Sequence, residues 1–176
     1  RPPAAAAAAA GAGSAKLDAL LRLLAPDGPI PAHEKVVVAS NFAEALPRLS
    51  QLLGSRGIKS ASLQGAHKAA AQHAFRNDPA TRVFLLHAAT GAGSTGAGAA
   101  GLNLTAANHL VLLDVLPDRD LEEQTIGRVV RFGQTKPTTI WHLLADGTVD
   151  QPLRAHADRG VAAAAAKASR AAVTAA

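Results

Sequence analysis

A chain of 176 residues suits one compact domain with loose ends. Hydrophobic residues make up 48% of it but aromatics only 3%, so Leu, Val and Ile must supply most of the large buried side chains. The net charge of +5 favours polyanionic partners such as nucleic acid, the absence of cysteine excludes disulfides and thiolate metal sites, and no apolar run suits a membrane span.

Residues 1–14 are Pro, Ala and Gly-rich and read as a linker; because the chain opens on Arg1, it reads as a fragment or a processed product. From Lys16 to Leu24, leucines recur at helical spacing up to Pro26. Lys35-Val-Val-Val-Ala has the length of a strand, and Asn41 is placed to cap a helix whose stripe runs through Phe42, Ala45, Leu46, Leu49, Leu52 and Leu53 to Gly57. Ile58–Leu63 reads as a short strand and His67–Phe75 as a helix. Arg82–His87 and His109–Asp114 are apolar strands, Asp120–Arg131 reads as a helix, and Thr138–Leu144 as the last strand. The domain is expected over 15–153, with 154–176 an Ala-rich tail forming a frayed helix.

Apolar strands separated by helices indicate an α/β fold, with a mainly parallel sheet flanked by helices in three layers. In such folds the working residues are expected at the carboxyl ends of the strands. His67, His73, His87 and His109 show no metal-ligand spacing and read as packing or surface residues, and Trp141 reads as core.

Arg128 and Arg131 are three apart, so a helix would project both from one face. Paired guanidinium groups suit polyphosphate, because the planar fork stays charged and binds two oxygens at once. The surrounding Gln124-Thr-Ile-Gly-Arg-Val-Val-Arg-Phe-Gly-Gln resembles motif VI of superfamily 2 helicases in its Swi/Snf-type form, and Glu122 also fits. In family order, Lys35–Phe42 resembles motif IV, Leu63-Gln-Gly the Leu-Asp-Gly element, Gly101-Leu-Asn-Leu-Thr motif V, and Gly147-Thr-Val-Asp the Gly-Thr-Ile-Glu element. The resemblance covers about Lys16 to Leu153, and is nearest to the RING-bearing, ubiquitin-ligase-linked branch.

This resemblance implies a RecA-like lobe, the second of a chromatin-remodelling DNA translocase acting in the nucleus. Arg128 and Arg131 would be the catalytic arginine fingers, acting on ATP with magnesium bound mainly by an N-terminal RecA-like lobe. Gln124 and Gly101 would couple nucleotide to lobe closure, while Ser40, Asn41, Thr90, Gly91 and Asn103 would meet the backbone of double-stranded DNA. Helix capping by Ser40 and Asn41 and a turn hydrogen bond from Asn103 are the simpler alternatives. Ubiquitin machinery would join through a RING elsewhere, since a chain without cysteine holds none. No GxxxxGK[ST] occurs in these residues, so the chain by itself is expected to hydrolyse no ATP.

Departures from the family pattern leave two other readings. Asp118-Arg-Asp replaces Asn-Pro-Ala, Val130 replaces a frequent His, Gln64 replaces an acidic residue, and Gly91–Ala100 enlarges the motif V loop. Those changes permit a degenerate, non-catalytic scaffold lobe. Separately, Gly91-Ala-Gly-Ser-Thr-Gly after a strand, with Asp114 further on, fits the dinucleotide-binding Rossmann fingerprint.

Overall fold

The computed structural model describes residues 14–63, 68–89, 102–116 and 118–159. In chain order the elements are α1 (Ala15–Leu24), β1 (Val36–Ser40), α2 (Ala45–Ser55), β2 (Lys59–Ser62), α3 (Lys68–Asn77), β3 (Thr81–His87), β4 (His109–Leu112), α4 (Arg119–Ile126) and β5 (Thr139–His142), followed by a helical segment at 150–159. The strands form one five-stranded, all-parallel sheet in the order β2-β3-β1-β4-β5. The strand order turns back at β1, which lies between β3 and β4.

Period-two alternation explains the layers. Val36 and Val38 face one side of the sheet, where Leu20 and Leu24 of α1 and Leu46, Leu49 and Leu53 of α2 pack on them. Val37 and Ala39 face the other side, toward Phe75 of α3, Leu104 and Val129, with Leu121 and Ile126 of α4 at its margin. Every residue of β1 is buried, which accounts for a run without a polar residue before Ser40. Each fully buried Leu or Val contributes about 1.5–3 kcal/mol.

Two cations organise the end of the sheet where the strands begin. Lys35 Nζ donates to the carbonyls of Phe75, Asp78 and Thr81 at 2.6, 2.7 and 2.9 Å, closing the exit from α3. Arg82 donates to the carbonyls of Leu24, Ile30, Pro31 and Glu34, fixing the connection from α1 to β1. Carbonyls at a helix exit carry partial negative charge, so cations stabilise them there. Burial pushes both side chains below their ordinary pKa values.

Several expected boundaries differ. Asn41 does not cap α2; the cap position is Glu44, without a side-chain bond, and Phe42 is 53% exposed before the helix instead of lying on its buried stripe. The Asn41 backbone amide donates to Asp114, and α2 begins only at Ala45, too far along the chain for Asn41 to stand at its cap position. The helix expected over Asp120–Arg131 is Arg119–Ile126, capped at its start by Asp118, whose carboxylate accepts from the Asp120 amide. It stops because Gly127 and two adjacent valines are poor helix formers and Val129 turns into the core. The expected boundary at 153/154 falls inside the helical segment 150–159. Trp141 packs against the core, partly buried, and its indole donates to His109 Nδ1. Residues 160–176 and His67 lie outside the described residues.

Replacing Lys35 with Met keeps the apolar stem but leaves three carbonyls without their donor. Denaturant unfolding is expected to show a loss of about 2 kcal/mol. A second expectation concerns acid. Glu34 lies below its usual value of 4.5, chiefly through its hydrogen bond from His109, with Asn108 adding to it. Its folded pKa is below its unfolded one, so the unfolded chain binds more protons as pH falls. The stabilisation is therefore full above about pH 4.5 and is lost as pH drops through the folded value. The stability gap between wild type and Glu34→Gln should accordingly be largest near neutrality and shrink below that pH, as read from unfolding curves at several pH values.

Candidate functional site

After α4 the chain makes a compact turn that alternates what it buries and what it presents. Arg128 N–H reaches Thr125 O, Val129 N–H and Val130 N–H both reach Ile126 O, and Gln134 N–H reaches Arg131 O. Gly133 adopts φ 98°, a conformation side chains resist, and closes this last turn. Val129 is fully buried, Arg128 is half-buried, Arg131 is exposed, and Phe132 is 102% exposed. The two arginines thus come from a turn beyond α4 and not from one helix face. Gln124 lies on the exposed side of α4 itself.

Burial first, and then the neighbouring Arg131 charge, push the Arg128 guanidinium below its ordinary pKa. Two cations are therefore held close enough to repel. Among the described residues, no carboxylate forms an ion pair with Arg131. An arrangement that concentrates positive charge suits an anion with several oxygens.

A residue given no role by its sequence position holds this turn in place. Gln134 Nε2 donates to Ala107 O at 2.7 Å and to Thr105 O and Val129 O at 3.3 Å, while its Oε1 accepts from the Lys136 amide at 3.0 Å. The Leu104 amide donates to Arg128 O at 3.0 Å, joining the same two segments. The trailing Gly-Gln stood out as a pattern, but pattern alone does not show which carbonyls a Gln amide will reach.

Other expected residues gather at the opposite end of the sheet. Ser40, the last residue of β1, is fully buried; its hydroxyl donates to Asp114 Oδ2 at 2.5 Å and accepts from the Phe42 amide at 3.1 Å. Its side chain is therefore turned inward, and its part is to hold the loop bearing Asn41. The Asn41 amide also donates to Asp114, at 3.2 Å, and His87 Nε2 donates to Asn41 O at 3.1 Å. Asn41 itself is partly exposed. Parallel strands separate this cluster from the arginines: α4 leaves the carboxyl end of β4, and the chain must return to the amino end of β5. The expectation of a single working edge at the carboxyl ends is thus corrected.

Asn103 lies in the segment entering β4. Its Oδ1 accepts from the Thr105 amide at 3.0 Å, the turn bond that was the simpler alternative, and its carbonyl accepts from Gln72 on α3 at 3.0 Å. Thr90, Gly91 and Gly101 lie outside the described residues, as do Gln64 and the glycines of the dinucleotide-like stretch.

Glu122 of α4 accepts from Arg154 at 3.0 and 3.2 Å, with His142 beside the pair, so the closing helical segment braces α4. Asp150 opens that segment and pairs with Lys16 of α1 at 2.6 Å. The expected tail is therefore, as far as 159, part of the fold. Among the described residues no cluster of His, Asp and Glu could hold a metal, and no helix is long and apolar enough to cross a membrane.

Comparison with known proteins adds independent findings. A family model described as the helicase conserved C-terminal domain matches residues 15–133. The DNA repair protein rad8 of Schizosaccharomyces pombe is 33% identical over 142 residues, which is 78% of this chain and 12% of that protein. The DNA repair and recombination protein RAD54B of Mus musculus is 33% identical over 145 residues, 80% of this chain and 16% of that one. The crystal structure of the C-terminal part of the Fun30 ATPase domain superposes with a TM-score of 0.70 at 26% identity, covering 80% of this chain and 44% of that one. The chain thus spans well under a fifth of these two curated relatives.

Proposed function

Because this chain belongs to the helicase C-terminal domain family, in its Swi/Snf-type ATPase branch, we propose that it is the second lobe of an ATP-driven DNA translocase and supplies Arg128 and Arg131 to nucleotide held by a first lobe. The observation that carries this reading is the placement of both arginines on one turn beyond α4, Arg128 half-buried and Arg131 exposed, on either side of the buried Val129. Positive charge placed where it develops on a transferring phosphoryl group lowers the barrier, and planar forks give that charge direction. Here Arg128 is the fixed member, while exposed Arg131 is the member able to reach across a cleft.

Arg128 and Arg131 would face the phosphates of ATP; magnesium would sit with the first lobe, whose carboxylates would supply the hard oxygen ligands. Gln124, on the exposed side of α4, would sense closure. Asn41 and Asn103, with Thr90 and Gly91, would meet the DNA backbone or the hinge beside it, Gly101 would join Gln124 in coupling nucleotide to closure, and Ser40 would act by holding Asn41. Contact with phosphate and sugar suits a motor that moves along any sequence. The names of two relatives support work on DNA in repair or recombination; chromatin remodelling in the nucleus is proposed on the resemblance of the motifs alone. A link to ubiquitin would need a RING outside these 176 cysteine-free residues.

Nucleotide turnover measured after joining the chain to a Swi/Snf-type first lobe tests the reading. The chain alone should hydrolyse no ATP, the joined pair should hydrolyse it with DNA present, and Arg131→Ala should lower that rate by about a thousandfold or more. An unchanged rate in Arg131→Ala would leave the chain a scaffold.

A further inference from the structure

The arginine turn and the Asn41 cluster lie at opposite ends of the sheet. The segment that enters β4 includes Asn103, one of the residues proposed above to meet DNA. Its described part, Leu102–Ala107, is clasped from two sides: Gln72 on α3 holds Asn103 O, and Gln134 holds Thr105 O and Ala107 O. The same Gln134 amide reaches Val129 O between the two arginines, and Leu104 N–H holds Arg128 O. We infer that Gln134 is a positioning residue which makes the arginine turn follow displacements of the segment entering β4. The inference rests on the arginine pair acting as proposed above.

The chemistry supports this assignment in three respects. All the Gln134 contacts are to main-chain groups, so they fix backbone position whatever side chains surround them. The amide uses both its donor and acceptor ends, a combination that neither Glu nor Leu reproduces. Finally, Leu104, Ala107 and Val129 are all buried in one apolar cluster, so the joined segments move as a packed unit instead of sliding past each other. A ligand that shifts Asn103 would then alter the angle at which Arg128 and Arg131 are offered. Coupling is established by a measured interaction between that segment and the arginine turn.

The test uses the chain joined to its first ATPase lobe, with ATP hydrolysis followed across ATP concentrations, with and without double-stranded DNA. Gln134→Glu preserves size and the Lys136 contact but replaces the donor with an acceptor facing three carbonyls. Stimulation by DNA should fall about tenfold or more through kcat, while KM for ATP stays within about twofold, because another lobe holds the nucleotide. Hydrogen exchange at the Leu104 amide should quicken in the same variant while β1 amides stay protected, which distinguishes a loosened clasp from unfolding. Should β1 protection also be lost, Gln134→Asn, which keeps the donors but is shorter, becomes the variant read, with a reduced stimulation expected. Full DNA stimulation in a folded Gln134 variant, with Arg131→Ala inactive, would overturn the inference and leave the parent reading standing. If Arg131→Ala is itself unaffected, the parent reading fails first.

Discussion

Burial of β1 on both faces sets the frame for everything else in this fold. A strand flanked by β3 and β4 and covered above and below must be apolar along its whole length, and its parallel neighbours must be reached by crossovers. Each crossover carries the chain from the carboxyl end of one strand to the amino end of another. Functional side chains placed in successive connections are consequently divided between two ends of the molecule. At the amino end, Lys35 and Arg82 neutralise helix-exit carbonyls, and the arginine turn lies close by. At the carboxyl end, Ser40, Asn41 and Asp114 close a compact polar knot.

Holding two guanidiniums together carries a cost, and the structure shows how it is met. At 4 Å the repulsion between two charges is about 1 kcal/mol in water and several times that in a partly buried setting. Burial of Val129 between them contributes about 1.5–3 kcal/mol, and the clasp by Gln134 and Leu104 adds hydrogen bonds of about 1 kcal/mol each. These contacts hold both cations on one turn. This is preorganisation in a physical sense: the repulsion is already met in the folding energy and is relieved when a polyanion binds.

The sequence made the sheet legible because its strands are continuous apolar runs and its helices carry leucine stripes, both set by local periodicity. It misplaced what long-range hydrogen bonds decide. Asn41 looks like a helix cap, but α2 starts only at Ala45, and Asp114, 73 residues away, fixes the backbone of the Asn41 loop instead. Arg128 and Arg131 look like neighbours on a helix until the burial of Val129 ends that helix at Ile126. Arg154 looks like part of a loose tail until Glu122 binds it. The identity of the arginine motif could be read from residue types alone, and the end of the sheet on which it sits follows from the parallel crossover, because a segment between a helix and the next strand lies at the strands' amino ends. Gln134 is the plainest case: its type was conspicuous, but its use is defined only by carbonyls from two distant turns.

The exposure of Phe132 bears on why such a lobe would act with a partner. It sits between Arg131 and Gly133, 102% exposed, with Val130 48% exposed two residues before it. In water an aromatic ring in that position contributes nothing, and placing it beside a cation favours no packing within the lobe. On the proposed reading, closure of a first lobe would bury the ring and dehydrate Arg131 in the same movement. Burying a Phe yields about 1.5–3 kcal/mol, which does not by itself offset the cost of several kcal/mol of taking an unpartnered guanidinium out of water. Apolar contact and charge transfer from solvent to phosphate would then be linked through one short turn. Closure would be favourable only when the anion is present to receive the charge, and that dependence on nucleotide is what a cyclic motor requires.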